Sequence, residues 1–88
     1  LNYELYMVNA ETLIRRMSAM GYTYKRIATA AGLSALTISF LATGRTKKAS
    51  PGTQEKLLKA YTDLAEQAAQ RAAAVEEADE KFRRLSGE

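Results

Sequence analysis

The feature that most constrains this chain is a long, uninterrupted run of strong helix formers in its C-terminal half. Ser50 and Pro51 form a helix-start signal, because serine caps a helix and proline fits its first turn. From there to about Leu85 nothing breaks the helix, and alanine, glutamate, glutamine, lysine, arginine and leucine dominate. About 35 residues at roughly 1.5 Å each predict a rod of about 50 Å, far longer than the remaining head is wide.

The residues before this rod predict three short helices separated by glycines. Asn9, Thr23 and Ser34 stand at N-cap positions, where a side-chain oxygen accepts a hydrogen bond from the first turn. The predicted ends of these helices are Gly21, Gly32 and Gly44. We therefore predict an all-α fold, in which a compact three-helix head precedes one long C-terminal helix that forms a coiled coil. The predicted parts are an N-terminal arm (1–8), the head (9–60) and a dimerising extension of the long helix (61–88).

The composition narrows the classes of function. The chain has no cysteine and no histidine, which excludes disulfides, thiolate nucleophiles, the usual general base and most zinc sites. It also has no phosphate-cradling glycine loop and no paired carboxylates in a pocket-forming context, so we expect neither an enzyme nor a cofactor. A core from 88 residues is modest, so we expect oligomerisation to stabilise it. No apolar run approaches about 20 residues and no signal-peptide pattern opens the chain, which predicts a cytoplasmic protein without membrane contact.

Charge is distributed unevenly along the chain. Residues 1–14 carry a net charge of −2, residues 15–59 carry nine basic side chains against one acidic (+8), and residues 60–88 carry four basic against seven acidic (−3). A basic head and a mildly acidic tail favour a polyanionic partner at the head alone.

Residues 23–44 have the spacing of a helix-turn-helix. Ala28 lies where the second helix must approach the third closely, and Gly32 follows where the turn needs a positive φ. Leu33 is expected to bury the turn, and Ile38 and Leu41 to complete a small core beneath the third helix. A small residue, a glycine and apolar positions in this register predict two short helices packed around a tight turn.

This stretch resembles the headpieces of the lactose-repressor family and of phage repressor and Cro-type regulators. Beyond the motif, residues 49–57 (Ala-Ser-Pro-Gly-Thr-Gln-Glu-Lys-Leu) are similar to the opening of the next helix in lactose-repressor-like headpieces. The resemblance covers roughly residues 23–60, and the long C-terminal helix is not part of the family pattern. It implies a sequence-specific DNA-binding transcriptional regulator, such as a small repressor of a phage or mobile element, associated with the nucleoid.

The resemblance also implies which residues meet double-stranded DNA. The third helix, residues 35–43, would enter the major groove with its N-terminal half nearest the bases. The predicted base-contacting residues are Ala35, Leu36, Ser39, Phe40 and Thr43. The predicted phosphate-contacting residues are Thr23, Tyr24, Lys25, Arg26, Ser34, Thr37, Arg45, Lys47 and Lys48.

One departure from the family pattern lies on the outward face of the third helix. This face lacks the Arg, Asn and Gln side chains that read guanine and adenine edges, and Leu36, Phe40 and Thr43 form an apolar strip instead. The strip is open to three interpretations: contact with thymine methyl groups, burial under the N-terminal arm or the long helix, or binding of a host protein. The last defines an alternative function, in which the helix-turn-helix is a protein-interaction module that binds through Leu36 and Phe40.

The long helix carries a heptad seam. Apolar or small residues recur in alternating steps of four and three, with one polar interruption at Arg71. The first residues of the seam are expected to pack on the head as well. We predict a homodimer through this helix, with its orientation open; a helix folded back on the head and a solvated single helix are the alternatives. The predicted dimerisation residues are Leu64, Ala68, Val75, Ala78, Phe82 and Leu85.

Overall fold

The computed structural model describes residues 9–46 and 48–87, and these residues form four helices and no strand. The helices are α1 (Ala10–Ala19), α2 (Tyr24–Ala31), α3 (Ala35–Ala42) and α4 (Pro51–Leu85). Three short helices followed by one long helix confirm the predicted all-α fold. The predicted arm, residues 1–8, lies outside the described residues.

Each helix begins at a side-chain cap. The side chains of Asn9, Thr23, Ser34 and Ser50 accept hydrogen bonds from the backbone N–H three residues later, at 2.8, 3.1, 3.1 and 3.3 Å. A cap of this kind stabilises a helix by about 1 kcal/mol, because it satisfies one of the four unpaired N–H groups of the first turn. The four predicted helix starts are therefore confirmed.

The turn between α2 and α3 depends on Gly32. Its φ of +70° lies in the left-handed region, where a side chain would clash with the backbone. With this turn in place, the Leu33 N–H donates to the Ala28 carbonyl at 2.9 Å, so the chain reverses tightly and α3 starts two residues later. The glycine predicted for the turn is thus confirmed.

One core holds the three short helices and the first part of α4 together. Helix α1 packs against α3 and α4, and α2 packs against α3 and α4. No residue in the described core is polar or charged. The largest fully buried side chains are Leu13, Ile14, Met17, Ile27, Ile38, Leu57 and Leu64.

Helix α4 has two parts with different surroundings. In its first part Leu57, Ala60 and Leu64 are buried against the head, whereas every described residue from Arg71 onward is exposed. The exposed part from residue 72 to the helix end is about 20 Å long. Helix α4 is thus continuous and does not fold back on the head.

A polar contact fixes α4 to the head where the two separate. The Tyr22 hydroxyl donates to the Leu64 carbonyl at 2.9 Å and accepts from the Arg71 guanidinium at 3.0 Å. The Arg71 guanidinium carbon also lies 5.0 Å from the centre of the Tyr22 ring, within cation–π range. Arg71, which interrupts the seam in the sequence, therefore anchors the long helix.

Among the described residues, no helix combines the length and the apolar character that crossing a membrane requires.

Replacing two glycines should change stability in opposite directions. Gly32→Ala should destabilise the fold by about 1–2 kcal/mol, because alanine disfavours the left-handed conformation at this turn. Gly52→Ala should be neutral or stabilising by up to about 1 kcal/mol, because Gly52 lies in the first turn of α4 and a Cβ there meets no atom within 4 Å. Urea unfolding monitored by circular dichroism measures both changes; equal destabilisation would contradict this account of the turn.

Candidate nucleic-acid interface

Helix α3 lies at the surface of the head with an uncharged outward face. Leu36 is 62% exposed, Ala35 and Thr43 are exposed, and Ser39 and Phe40 are half-buried. The opposite face, with Ile38, Leu41 and Ala42, is buried. The long helix therefore does not bury the strip that begins at Leu36, and the five predicted base-contacting residues share one accessible face.

Phe40 is paired with a cation from the loop that follows α3. The Arg45 guanidinium carbon lies 5.0 Å from the centre of the Phe40 ring. The Thr46 N–H donates to the Phe40 carbonyl at 3.1 Å, which holds the loop against the end of α3. Arg45 was predicted as a phosphate contact from its position after the helix; the structure places it directly beside a predicted base-contacting residue.

Ser34 and Thr37 share one hydroxyl hydrogen for an outside partner. The Ser34 hydroxyl accepts from the Thr37 N–H at 3.1 Å, and the two hydroxyl oxygens are 2.8 Å apart. Either hydroxyl can donate to the other, so the pair uses one of its two hydrogens internally. The remaining hydrogen can donate to a phosphate oxygen or a base, so the N-cap role of Ser34 does not use up the pair.

The two polar side chains further along α3 differ in their availability. The Thr43 hydroxyl donates to the Ser39 carbonyl at 2.9 Å, so it can only accept from a ligand. The Ser39 hydroxyl makes no side-chain hydrogen bond to any residue that the structure describes. Ser39 is therefore the one base-contacting candidate with a hydroxyl that can both donate and accept.

The start of α2 places a second group of candidates at the surface. Thr23, Tyr24, Lys25 and Arg26 are all exposed, as predicted for residues beside a phosphate path. Thr23 caps α2 by accepting from the Arg26 N–H at 3.1 Å, and its hydroxyl hydrogen stays available. The Arg26 guanidinium instead donates to the Gln67 side-chain oxygen at 3.2 Å, which directs it toward α4.

The surface around α3 carries no negative charge of its own. Residues 12–54 contain seven basic side chains and no Asp or Glu. Lys25, Arg45 and Lys48 are exposed, and the two ion pairs found among the described residues, Glu11–Arg15 and Glu80–Arg84, involve none of them. Lys47 lies outside the described residues. Cations without a protein counter-charge suit a polyanionic ligand.

The predicted dimerisation residues divide into two groups. Leu64 has no exposed surface and belongs to the core of the head, so it cannot face a second chain; this corrects the predicted seam. Ala68 is half-buried and Ala78 is exposed. Val75, Phe82 and Leu85 are 61%, 71% and 81% exposed, which is unusual for apolar side chains of this size. The accessible part of the seam therefore begins at Ala68.

Comparison with protein-family models, with curated proteins and with solved structures gives no significant match for this chain. Within residues 9–46 and 48–87, no cluster of three or more His, Cys, Asp or Glu side chains is placed to hold a metal ion.

Two contacts near the candidate interface were not predicted from the sequence. The Arg26–Gln67 and Tyr22–Arg71 hydrogen bonds join residues 41 and 49 positions apart. Tyr22 was interpreted only as a core or boundary residue, and Arg71 only as a break in the seam. The one available signal was an arginine at a seam position, where an apolar residue is typical.

Substitution of two serines should separate a structural role from a surface role. Ser34→Ala removes the N-cap of α3 and should lower the free energy of unfolding by about 1 kcal/mol. Ser39→Ala removes a hydroxyl with no hydrogen bond to another described side chain, so the free energy of unfolding should change by less than about 0.5 kcal/mol. Chemical denaturation of both variants tests this, and a larger loss for Ser39→Ala would contradict it.

Proposed function

We propose that this protein is a sequence-specific DNA-binding regulator that inserts α3 into the major groove of double-stranded DNA. The observation that carries the proposal is the placement of α3: it lies at the surface of the head, its outward face is exposed and uncharged, and exposed basic residues precede and follow it without acidic neighbours in sequence. A helix with one face in a core and the other accessible is what the major groove admits.

In this proposal the cations provide affinity and α3 provides sequence preference. Lys25 at the start of α2 and Lys48 after α3 would contact phosphates on either side of the groove, which positions the head without reading bases. Each such contact releases condensed counterions, so binding must weaken as salt concentration rises. Occupancy of DNA is the whole proposed activity, and it requires no catalytic step.

The apolar strip gives the proposed reading a specific chemistry. Ala35, Leu36 and Phe40 offer no hydrogen bonds, but they can contact the C5-methyl group that thymine presents in the major groove. The hydrogen-bonding contribution falls to Ser39 and to the shared hydroxyl of Ser34 and Thr37. We therefore expect a site that contains thymines at the positions facing Leu36 and Phe40.

Removing two cations should change the salt dependence of DNA binding by a countable amount. In the Lys25→Ala, Lys48→Ala double variant, the slope of log K against log salt concentration should become shallower by about two. Lys81→Ala removes one positive charge from the outer part of α4 and should leave the slope unchanged. Fluorescence anisotropy between about 50 and 200 mM salt measures the slope; identical slopes for all three proteins would contradict the proposed phosphate contacts.

The thymine contact can be tested by removing one methyl group. Selection from a random pool of duplexes at two salt concentrations identifies the bound site. Replacing its thymines one at a time by deoxyuridine should then weaken binding about fourfold at each contacted base, since burial of one methyl group contributes about 0.8 kcal/mol. The Leu36→Ala variant serves as the control.

If Leu36 is the contacting residue, its alanine variant should bind the thymine and uracil duplexes with more similar affinities. Equal affinity of the unchanged protein for both duplexes would refute the thymine contact while leaving DNA binding itself intact. A random-pool selection that recovers nothing above background would refute the proposed function.

One observation favours a second candidate function. Leu36 is 62% exposed on a helix without any charged residue, and helices that are apolar on all faces are usually covered. A protein partner seated on Leu36 and Phe40 would cover this face. Such binding should tolerate salt and be lost in Phe40→Ala, whereas DNA binding should fall steeply with salt.

A further inference from the structure

The face of α4 that packs on the head continues past the edge of the head. Leu57 and Leu64 lie on this face and are buried, and Ala68 follows at the edge. One heptad beyond Ala68, the same face carries Val75, and one heptad further it carries Phe82. An apolar face that is covered along its first half is thus exposed along its second half.

A groove lies at the edge of the head on this face. It is lined by Met20 at the end of α1 and by Ala68, Ala72 and Val75 of α4, with the Arg71 side chain, Glu76 and Asp79 completing it. The small alanines create the depression, while Met20 and Val75 form its apolar walls. Six residues or more beyond this groove, the same helix carries the large exposed side chains of Phe82 and Leu85.

We propose that a second copy of this chain covers this face, with the two α4 helices antiparallel and the twofold axis between Glu76 and Glu77. In this arrangement residue i of one copy lies opposite residue 153 − i of the other. Phe82 and Leu85 of each copy then enter the groove of the other, so one symmetric contact covers both grooves and both pairs of large side chains. An interface that is self-complementary in this way closes as a dimer.

The residue pairs in this register match in size. Val75 lies opposite Ala78 of the second copy, and Leu85 lies opposite Ala68, so each large aliphatic side chain faces a small one. Phe82 lies opposite Arg71, whose guanidinium is already held by Tyr22 and whose methylene stem lines the groove. Alternation of large and small side chains across a seam lets two helices approach closely.

A parallel pair is disfavoured by the position of the head. The head occupies the seam face of α4 as far as Leu64 and Ala68. In a parallel pair the two heads would lie at the same level on the facing sides and compete for the same space. Parallel pairing would also bring Arg71 opposite its own copy. In the antiparallel pair, α4 of the second copy ends at Leu85, next to the edge of the first head, and no overlap arises.

One electrostatic term opposes the proposed pairing. Glu76 and Asp79 line the groove and approach the same residues of the second copy near the axis. Both are exposed, and the Debye length is about 8 Å at physiological ionic strength, so screening keeps this repulsion small beside the burial of Val75, Phe82 and Leu85. The dimer should consequently become tighter as salt concentration rises, opposite to the response expected for DNA binding.

Sedimentation of the full chain without DNA tests the dimer. The unchanged protein should sediment as a dimer at tens of micromolar, and Val75→Gln and Phe82→Gln should each raise the dissociation constant about tenfold or more. Glu77→Gln introduces the same residue on the opposite face of α4 and should leave the dimer intact. All three residues are exposed, so circular dichroism should show the folded head unchanged. A strict monomer, or equal effects of the three variants, would overturn the proposal.

Cysteine cross-linking tests the orientation, and the natural chain offers no competing cysteine. When the Ala68→Cys and Leu85→Cys variants are mixed and oxidised, the antiparallel pair should give the mixed disulfide, because these positions face each other. Each variant alone should remain unlinked, since identical positions are about 25 Å apart along the axis, too far for a disulfide. Disulfides within each variant alone, without the mixed product, would show a parallel pair and overturn the proposal.

The orientation has a consequence for the proposed function and rests on it only here. Leu64 and Leu57 of the two copies would lie roughly 38 and 58 Å apart along the axis, so the heads are separated by more than the roughly 34 Å of one DNA turn. Two adjacent half-sites are then out of reach, and the dimer would use more distant half-sites or two duplexes. Because both dimer experiments omit DNA, their failure and a failure of DNA binding are distinguishable.

Discussion

The buried row of α1 is the contact on which the rest of the head depends. Leu13, Ile14 and Met17 have no exposed surface, and α1 packs against both α3 and α4. Burial of each such side chain contributes about 1.5–3 kcal/mol, and no hydrogen bond between the short helices replaces it. The position of α3 at the surface is therefore set by α1 from behind, while its outward face takes no part in holding the fold together. That division leaves the outward residues open to selection for binding.

The head and the long helix are not separate units. Leu64 lies in the core and its carbonyl accepts from Tyr22, while Arg71 adds a second contact to the same tyrosine. A boundary after residue 60 would remove both contacts and expose Leu13 and its neighbours. The start of the rod thus completes the head, which is how 88 residues obtain a single apolar core without disulfides or a metal.

The sequence predicts the local structure well because its signals are local. Each N-cap lies within three residues of the amide it accepts from, and Gly32 needs only its own φ to set the turn. The exposure of Leu36 and the burial of Ile38 follow from helical periodicity. The contacts of Tyr22 with Arg71 and of Arg26 with Gln67 depend instead on the angle at which α4 crosses the head, which no periodicity encodes. For the same reason the heptad pattern assigned Leu64 to a pairing surface although the head already covers it.

The molecule presents two exposed apolar surfaces in regions of opposite charge, and this makes the geometry of association important. Leu36 lies in a basic stretch without acidic residues, whereas Phe82 and Leu85 lie on an outer helix with more acidic than basic side chains. If the outer helix of one molecule docked on α3 of the next, each contact would leave another pair of surfaces open, and chains of molecules would grow. The antiparallel pair avoids this because it covers Phe82 and Leu85 of both copies at once, and it leaves Leu36 with its surrounding cations as the accessible surface of each head.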